Sequence, residues 1–378
     1  MSDQSRLFAG AMSGTSADGV DVACVRIAGR GLEMSAKLVA HHFVAYDANL
    51  RGRIFTVRED GAARFSELAG IRREISLTYS AALRAVLSNA NLRADELTAL
   101  AAHGQTLFHD PPATIQLLDP SLLAIETGCT VVSDFRTADC AVRGQGAPLV
   151  PFADWVLFRS PARSRLLINL GGISNITWLA RGGSIEQVIA FDTGPGNCIS
   201  DELMRELHPE GGGYDAGGNL AGHGRADEAM VRRILAHDYF RRPPPKSTDG
   251  PAMIGLFRDQ MPDPGGRSRL PDRLATACLL SAGAIGRGVR DFVPDFPDEV
   301  FVSGGGALNA TLMRMLTEQL GGIRLQPIDE LGIPSGAKEA VAFALLGAAT
   351  IDGVASNVPS ATGASRSVVL GSITPRPL

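Results

Sequence analysis

Two loops rich in glycine and hydroxyl residues, each set on the pattern of a β-hairpin, constrain this chain more than any other feature. The first spans residues 8–25 and reads FAGAMSGTSADGVDVACV, and the second spans residues 166–177 and reads LLINLGGISNIT. In each, an apolar strand leads into a turn of small residues and out into a second apolar strand. Backbone N–H groups of such a turn can point at an anion. Two loops of this kind facing each other would clamp a polyphosphate.

The glycine spacing of both loops differs from the two commonest nucleotide-binding signatures. Neither loop reads G-x-x-x-x-G-K-[ST], and neither opens a helix with G-x-G-x-x-G. The sequence therefore predicts neither a P-loop fold nor a Rossmann fold.

The composition excludes several classes of protein. Of 378 residues, 45% are hydrophobic and 20% charged, which allows a large core in one or two domains. The net charge of −4 offers no basic surface for nucleic acid or anionic membranes. There is no apolar run of membrane-spanning length and no signal-peptide pattern. The five cysteines are scattered, as is typical of reduced thiols, so we expect a cytoplasmic protein.

Strand and helix patterns alternate along the chain, which predicts an α/β fold. Helices are predicted over 62–90, between the N-cap Asp119 and Gly128, and from Cys198 onward. The stretch 241–273 is rich in Pro, Arg, Asp and Gly and is predicted to be a long surface excursion. Because each half opens with a phosphate-type hairpin, we expect two similar domains with a cleft between them. Beyond the hairpins, strands are predicted at 38–43, 97–102, 130–133, 187–191 and 299–302.

Asp192 is the strongest candidate for proton chemistry. It directly follows the apolar strand 188–191 and precedes a Gly-Pro-Gly turn. Desolvation at such a position would raise the pKa of the carboxyl group and improve it as a general base. The alternative is a turn or capping residue, since a helix begins shortly afterwards.

Asp18 and Asp21 flank the first glycine loop. Phosphates repel a carboxylate beside them, so its expected use is to hold Mg²⁺ directly or through water. The alternative is capping of the turn, and the sequence does not say which of the two would bind the metal.

Other candidates are guanidinium, imidazole and glycine residues. Arg136 and Arg143 could bind carboxylate or sugar oxygens, or form surface salt bridges instead. His103 is expected to shape the loop that follows it, and no zinc site is predicted because no ligand lies at the required spacing. The run 304–306, followed by Asn309 at a helix start, would let the backbone lie flat against a planar ring.

Nine motifs follow one another along the chain, at 12–21, 103–106, 134–136, 144–151, 169–175, 191–197, 338–340, 357–364 and 369–371. Their order resembles that of the sugar kinase, actin and Hsp70 superfamily, and in particular the anhydro-N-acetylmuramic acid kinase family. The chain departs from the family pattern at Arg143, where glycine is expected, and after 246–248, where Asp249-Gly250 replaces Gly-Arg-Glu.

The resemblance implies a two-domain actin-like (ribonuclease H-like) α/β fold with an interdomain cleft. Its first lobe would contain residues 1–155 plus 355–378, and its second lobe residues 156–354. It implies a cytoplasmic homodimer that uses ATP, Mg²⁺ and water to open the 1,6-anhydro ring of anhydro-N-acetylmuramic acid and phosphorylate O6. The products would be N-acetylmuramate 6-phosphate and ADP, in cell-wall recycling.

The resemblance also assigns residues. Asp192 matches the family's general base. Arg136 and Glu339 match sugar-pocket positions, to which Gln105 and Thr106 are added. The residues expected to bind ATP are Ser13, Gly14, Thr15, Ser16, Ala17, Asp18, Gly19, Val20, Asp21, Asn169, Gly171, Gly172, Gly304, Gly305 and Asn309.

Two alternatives remain open at this point. One is a kinase of another anhydrosugar such as levoglucosan, because the sequence does not locate contacts to the lactyl group. The other is a non-catalytic sensor or interaction protein of the same superfamily. The presence of Asp192 among intact phosphate motifs argues against this second alternative, as does the lack of a helix-turn-helix before the first loop.

Overall fold

Strands and helices alternate along the chain, as the sequence predicts. The computed structural model describes residues 5–261 and 270–378. Its strands are β1 (Arg6–Ser13), β2 (Gly19–Ala28), β3 (Ser35–Ala45), β4 (Leu97–Asp110), β5 (Ala113–Leu117), β6 (Val131–Ser133), β7 (Arg165–Leu170), β8 (Ile173–Leu179), β9 (Ile189–Pro195), β10 (Glu299–Ser303), β11 (Leu325–Pro327) and β12 (Ser372–Thr374). Its helices are α1 (Ala48–Asp60), α2 (Phe65–Asn89), α3 (Pro120–Thr127), α4 (Thr137–Ala141), α5 (Val150–Phe158), α6 (Cys198–Leu207), α7 (Asn219–Gly222), α8 (Glu228–Leu235), α9 (Asp238–Arg241), α10 (Gly250–Asp259), α11 (Leu270–Phe292), α12 (Ala310–Gln319), α13 (Lys338–Ile351) and α14 (Pro359–Thr362).

The chain forms two units, each with its own sheet. Unit 1 comprises Met1–Phe158 and Gly336–Leu378, and unit 2 comprises Arg159–Ser335. The predicted second lobe extends to residue 354, whereas in the structure the chain returns to unit 1 at Gly336. The reason is that α13 packs on β1, β2 and β4 of unit 1. This helix is buried on nearly all sides, so it needs a sheet to cover it.

The sheet of unit 1 has the order β12-β6-β4-β1-β2-β3, with β5 added to β4. Strand β1 pairs antiparallel with β2, which forms the first predicted hairpin, and parallel with β4. Gly10 lies at the centre of β1, beneath α13. A Cβ atom at Gly10 would stand 1.9 Å from the carbonyl oxygen of Ala340 and 2.4 Å from the nitrogen of Ala344. Only glycine permits helix and strand to approach this closely.

The predicted helices of unit 1 are present. The stripe that α2 buries includes Ile71, Ile75, Tyr79 and Leu83, although Phe65 at its start is exposed. Helix α3 begins after Asp119, whose carboxylate accepts from the backbone nitrogen of Leu122 at 3.0 Å, and it ends at Gly128 with a φ of 69°. Within residues 5–261 and 270–378, no helix is both long and apolar enough to cross a membrane.

The sheet of unit 2 has the order β11-β10-β7-β8-β9. Strands β7 and β8 pair antiparallel and form the second predicted hairpin, while β10 runs parallel to β7. Helix α11 packs on this sheet and supplies most of its side chains to the core of the unit. The phosphate-type turn of the second hairpin is thus built on a buried sheet.

Two features of unit 2 differ from the sequence prediction. Strand β9 continues through Asp192 to Pro195, so Asp192 lies inside a strand rather than directly after one. The stretch 241–273 is not a plain surface excursion, because it contains α10, whose Met253 and Phe257 are buried. Residues 262–269 of that stretch lie outside the described part of the chain.

Candidate active site

The turn of the first hairpin is closed by its own backbone and tied to β4. The nitrogen of Ala17 donates to the carbonyl oxygen of Gly14 at 3.2 Å, and Ala17 has a positive φ of 49°. Ser13 Oγ donates to Gln105 Oε1 at 2.7 Å, and Gln105 Nε2 donates to the carbonyl oxygen of Gly14 at 3.0 Å. Gln105, predicted as a sugar-pocket residue, therefore braces the phosphate-type turn.

A cation from α1 lies beside this turn. Arg58 donates to the carbonyl oxygens of Thr15 and Thr106, a contact that no sequence motif indicated. Thr15 and Ser16 are exposed at the tip of the turn. A positive charge next to a turn with exposed hydroxyl groups is an arrangement that suits a phosphate.

Asp18 and Asp21 of the first loop each lie close to a basic side chain. Asp18 is 58% exposed and lies 3.0 Å from Arg51 Nη2, while Asp21 Oδ1 lies 2.9 Å from His41 Nε2. Between them, Gly19–Val20 is buried at the start of β2. Nowhere in residues 5–261 and 270–378 do three His, Cys, Asp or Glu side chains cluster to hold a metal. A Mg²⁺ ion that arrives with a nucleotide needs only one or two carboxylates, so either aspartate fits it.

The buried His103 and the half-buried Arg136 form a pair at the next two motifs. Arg136 Nε donates to His103 Nε2 at 3.0 Å, and its Nη1 donates to the carbonyl oxygen of Gly146 at 2.7 Å. The Nδ1 of His103 lies 2.9 Å from the carbonyl oxygen of Gly104. Burial, aided by Arg136, holds the pKa of His103 well below its usual value, so the ring is neutral and Nδ1 carries the proton. His103 does form a hydrogen bond with Gly104. Residues 104–106, however, lie within β4, so the prediction of a loop after His103 is wrong.

Glu339 occupies the first turn of α13. Lys338 beside it forms a buried ion pair with Asp154, with 2.9 Å between Nζ and Oδ1. The Glu339 side chain reaches solvent, yet crowding protein desolvates it and raises its pKa. Asp21 adds to this rise in pKa, while Lys338 and Arg136 oppose it. The charges of Asp21 and Arg136 therefore both act on the carboxyl group of Glu339, and all three are residues of unit 1 that the sequence predicted.

Two further candidates of unit 1 have plainer surroundings. Thr106 Oγ1 accepts from Gln116 Nε2 at 3.5 Å. Arg143 is exposed and has a positive φ of 68°. That conformation explains why glycine is expected there, because an L-residue adopts it at a cost.

Asp192 is held by a single chain segment of unit 2. The backbone nitrogen of Thr248 donates to Asp192 Oδ2 at 3.1 Å, and the nitrogen of Asp192 donates to the carbonyl oxygen of Lys246 at 3.2 Å. The hydroxyl of Tyr239 donates to the carbonyl oxygen of Asp192 at 2.6 Å. Burial raises the pKa of Asp192 to about 6, against the smaller opposing effect of the Thr248 N–H. The predicted upward shift of this pKa is confirmed.

The raised pKa has a measurable effect on stability. The folded protein binds the Asp192 proton more tightly than the unfolded chain, where the pKa is 3.8. The resulting stabilisation is complete below that value and is lost as the pH rises through about 6. We expect the Asp192→Asn variant to be more stable than the wild type by up to about 3 kcal/mol at pH 8, and by less at pH 5. Urea unfolding at both pH values measures the difference, and equal stabilities at pH 8 would contradict the assignment.

A row of polar residues crosses the sheet of unit 2 at the level of Asp192. Ser303 of β10 pairs in register with Asn169 of β7, Asn169 with Asn175 of β8, and Asn175 with Asp192 of β9. Residues directly opposite each other in a sheet share a face. Ser303 Oγ lies 3.3 Å from Asn169 Oδ1. The predicted base and the predicted nucleotide residue Asn169 are therefore on the same face of one sheet.

The second hairpin turn is fastened to the start of α6. The nitrogen of Asn197 donates to the carbonyl oxygen of Gly171 at 2.8 Å. The nitrogens of Gly196 and Cys198 donate to the carbonyl oxygen of Gly172 at 2.9 and 3.0 Å. In a trans peptide the C=O and N–H groups point in opposite directions, so the N–H groups of these two peptide bonds point away from the start of α6.

The glycine run after β10 packs tightly against the second hairpin. Gly304 has a φ of 84°, and a Cβ atom on it would stand 2.7 Å from the carbonyl oxygen of Leu170. Gly305, the next residue, is exposed. Asn309 is buried and caps α12 through a 2.9 Å bond from the nitrogen of Leu312 to Asn309 Oδ1. The structure thus brings Asn169, Gly171 and the glycine run together, and it uses the Asn309 side chain as a helix cap.

Sequence reasoning missed Arg58, Tyr239 and Lys246. Arg58 and Tyr239 lie in no motif, and only the three-dimensional contacts reveal them. Lys246 begins the 246–248 motif, and that motif could have indicated the segment that holds Asp192.

Several solved structures resemble the chain. One is an activator of 2-hydroxyisocaproyl-CoA dehydratase from Clostridium difficile, with 11% identity, a TM-score of 0.44, and coverage of 90% of this chain and 93% of that one. Another is a ROK family glucokinase from Streptomyces griseus, with 11% identity, a TM-score of 0.36, and coverage of 89% and 98%.

Sequence comparisons give a closer relationship. The profile of the anhydro-N-acetylmuramic acid kinase family matches residues 6–376. Curated proteins of that name from Gloeobacter violaceus and Caldanaerobacter subterraneus are 41% and 36% identical to the chain. The alignments cover 98% of this chain and 98% and 97% of those relatives. This chain therefore belongs to the anhydro-N-acetylmuramic acid kinase family.

Proposed function

We propose that the protein is an ATP-dependent kinase that opens the 1,6-anhydro ring of 1,6-anhydro-N-acetylmuramic acid and phosphorylates O6. The products are N-acetylmuramate 6-phosphate and ADP, in the recycling of cell-wall material. The observation that carries the proposal is the half-buried, desolvated carboxyl of Asp192. Its pKa of about 6 suits a group that must accept a proton near neutral pH.

The chemistry follows from the structure of the substrate. An internal acetal has no free hydroxyl at O6, so a water molecule must attack C1 while the bond between C1 and O6 breaks. Asp192 takes the proton of that water, and O6 forms a bond with the γ-phosphorus as ADP leaves. The oxygen of the water ends on C1, and O6 keeps its bond to C6. Ring opening and phosphoryl transfer are thereby one coupled event.

The nucleotide is assigned to the two hairpins and the glycine run. We propose that N–H groups of the turn at Ser13–Asp18 and of Gly171–Gly172 bind the phosphates, with Arg58 beside the first turn. Gly304 and Gly305 would lie along the adenosine. Asp18 or Asp21 would hold Mg²⁺, which neutralises phosphate charge when bound.

The sugar is assigned to the polar groups of unit 1. The Arg136 guanidinium is oriented by His103 and Gly146, which suits a fixed contact to carboxylate or hydroxyl oxygens. Glu339 and Thr106 would accept hydrogen bonds from hydroxyl groups of the sugar. Gln105 would support the pocket through its hydrogen bonds to the first turn. We also propose a cytoplasmic homodimer, and the five free cysteines support a reducing compartment.

Turnover in water enriched in ¹⁸O tests the coupled reaction. With ATP and the anhydrosugar, we expect the label at C1 of the product and none in its phosphate or in ADP. Without ATP, we expect no ring opening. Ring opening in the absence of ATP would indicate a hydrolase, and label in inorganic phosphate would indicate an ATPase.

Two controls complete this experiment. Unlabelled N-acetylmuramate 6-phosphate incubated in the same water measures spontaneous exchange at C1, which must be slower than turnover. Levoglucosan replaces the substrate in a parallel reaction. Faster ADP release with levoglucosan than with anhydro-N-acetylmuramic acid would overturn the proposed substrate.

A further inference from the structure

The segment 239–248 forms hydrogen bonds with the backbone nitrogen, the backbone oxygen and one carboxylate oxygen of Asp192. The Tyr239 hydroxyl donates to its carbonyl oxygen, the Lys246 carbonyl accepts from its nitrogen, and the Thr248 nitrogen donates to Oδ2. Within the described part of the chain, no donor bonds Oδ1. One carboxylate oxygen is therefore fixed by the segment while the other is left for chemistry.

A buried cation anchors this segment. Lys246 is 8% exposed, and its Nζ lies 5.3 Å from the ring centroid of Phe191, 5.1 Å from that of Tyr239 and 4.6 Å from that of Phe292. The same Nζ donates to the carbonyl oxygen of Tyr239 at 3.2 Å. A desolvated ammonium among three aromatic rings is held by cation–π attraction. Phe191 directly precedes Asp192, so the anchor lies next to the carboxylate in sequence as well.

The charged groups around Lys246 indicate that it stabilises the position of the segment and does not form an ion pair with Asp192. Burial is the main reason that the pKa of Lys246 falls to about 8. The positive charges of Arg287 and Arg242 lower this pKa further, and the negative charge of Asp291 opposes them weakly. Tyr239 is the titratable group that faces Asp192. The Lys246 stem and head therefore hold the chain in place without pairing to Asp192.

We propose that Tyr239 and Lys246 are positioning residues for Asp192. Together they fix residues 246–248 so that the Thr248 N–H meets Oδ2 and Oδ1 keeps its direction. This inference rests on the proposed role of Asp192 as the base, although the hydrogen bonds it describes exist without that role.

The test uses Tyr239→Phe, which keeps the ring but removes the hydroxyl, and Lys246→Met, which keeps the length but removes the charge. When the segment loosens, the Thr248 N–H no longer stabilises the carboxylate, so the pKa of Asp192 rises. We expect kcat to fall about tenfold at pH 6.5, the acidic limb of the kcat–pH profile to move to higher pH, and KM for ATP to stay within twofold. Lys246→Arg should restore most of the activity.

Matched controls are Tyr214→Phe and Lys37→Met, since both residues are exposed. Carbon-13 titration of the Asp192 carboxyl, assigned with Asp192→Asn, measures its pKa without substrate. If wild-type turnover fails but the titration moves in both variants, the positioning role stands and the proposed function falls. An unmoved titration and an unmoved acidic limb in both folded variants would overturn the inference.

Discussion

The Asp192→Asn variant is expected to lose ring opening and ADP release together, with kcat lower by about two to four orders of magnitude. Asparagine has nearly the same shape and can still accept from the Thr248 N–H through its oxygen. It cannot take a proton from the attacking water. ATP affinity should stay within about twofold, because the predicted nucleotide contacts come from the two hairpins and the glycine run. Coupled ADP assays and calorimetry measure the two quantities separately.

Asp201 provides the matched control for this substitution. It lies in the same unit on α6, and burial raises its pKa to about 6 as well. If a carboxyl group with a raised pKa were sufficient for catalysis at either position, Asp201→Asn would lower activity as much as Asp192→Asn. We expect Asp201→Asn to retain activity within about threefold, because among the described residues no hydrogen bond or ion pair joins the Asp201 side chain to the segment 239–248. An Asp192→Asn enzyme within tenfold of the wild type would place the base elsewhere.

The Gly10→Ala variant should be destabilised by about 3 kcal/mol or more. Its added methyl would meet the backbone of Ala340 and Ala344, and backbone atoms of a buried helix move less readily than a side chain. Helix α13 would have to lift from β1, which loosens the core of unit 1. Urea unfolding followed by circular dichroism measures the loss.

Gly52→Ala is the control for Gly10→Ala. Gly52 lies in α1, and an added Cβ would have no neighbour within 4 Å. Alanine is a better helix former than glycine, so this variant should be slightly more stable than the wild type. Equal stability of Gly10→Ala and the wild type would mean that α13 is packed more loosely than described.

Local signals predicted the elements that local chemistry determines. The two hairpins followed from small turn residues between apolar strands, and α3 followed from its N-cap Asp119 and its terminal Gly128. Helix α10 escaped prediction because proline and glycine dominate its surroundings and mask its N-cap. The structure shows that cap directly, since the Asp249 carboxylate accepts from the nitrogen of Ala252 at 2.9 Å.

Long-range contacts explain what the sequence did not reveal. Helix α13 is apolar nearly all round, so its pattern does not say which sheet covers it, and the predicted boundary fell after it instead of before it. Asp192 was found because it ends an apolar run. The groups that hold Asp192 were missed because Tyr239 and Thr248 lie 47 and 56 positions away in sequence.

The order in which the chain is synthesised differs from the order in which its units are completed. Unit 2 is one continuous stretch, Arg159–Ser335, whereas unit 1 combines the stretch before it with the stretch after it. Arg6 in β1 forms its ion pair with Asp352, and the buried Asp139 accepts from Asn357. Until α13 leaves the ribosome, the face of β1 that contains Gly10 has no helix to cover it. The first stretch of unit 1 therefore stays incompletely folded while unit 2 is synthesised. During that time its apolar surface is exposed and can be bound by chaperones.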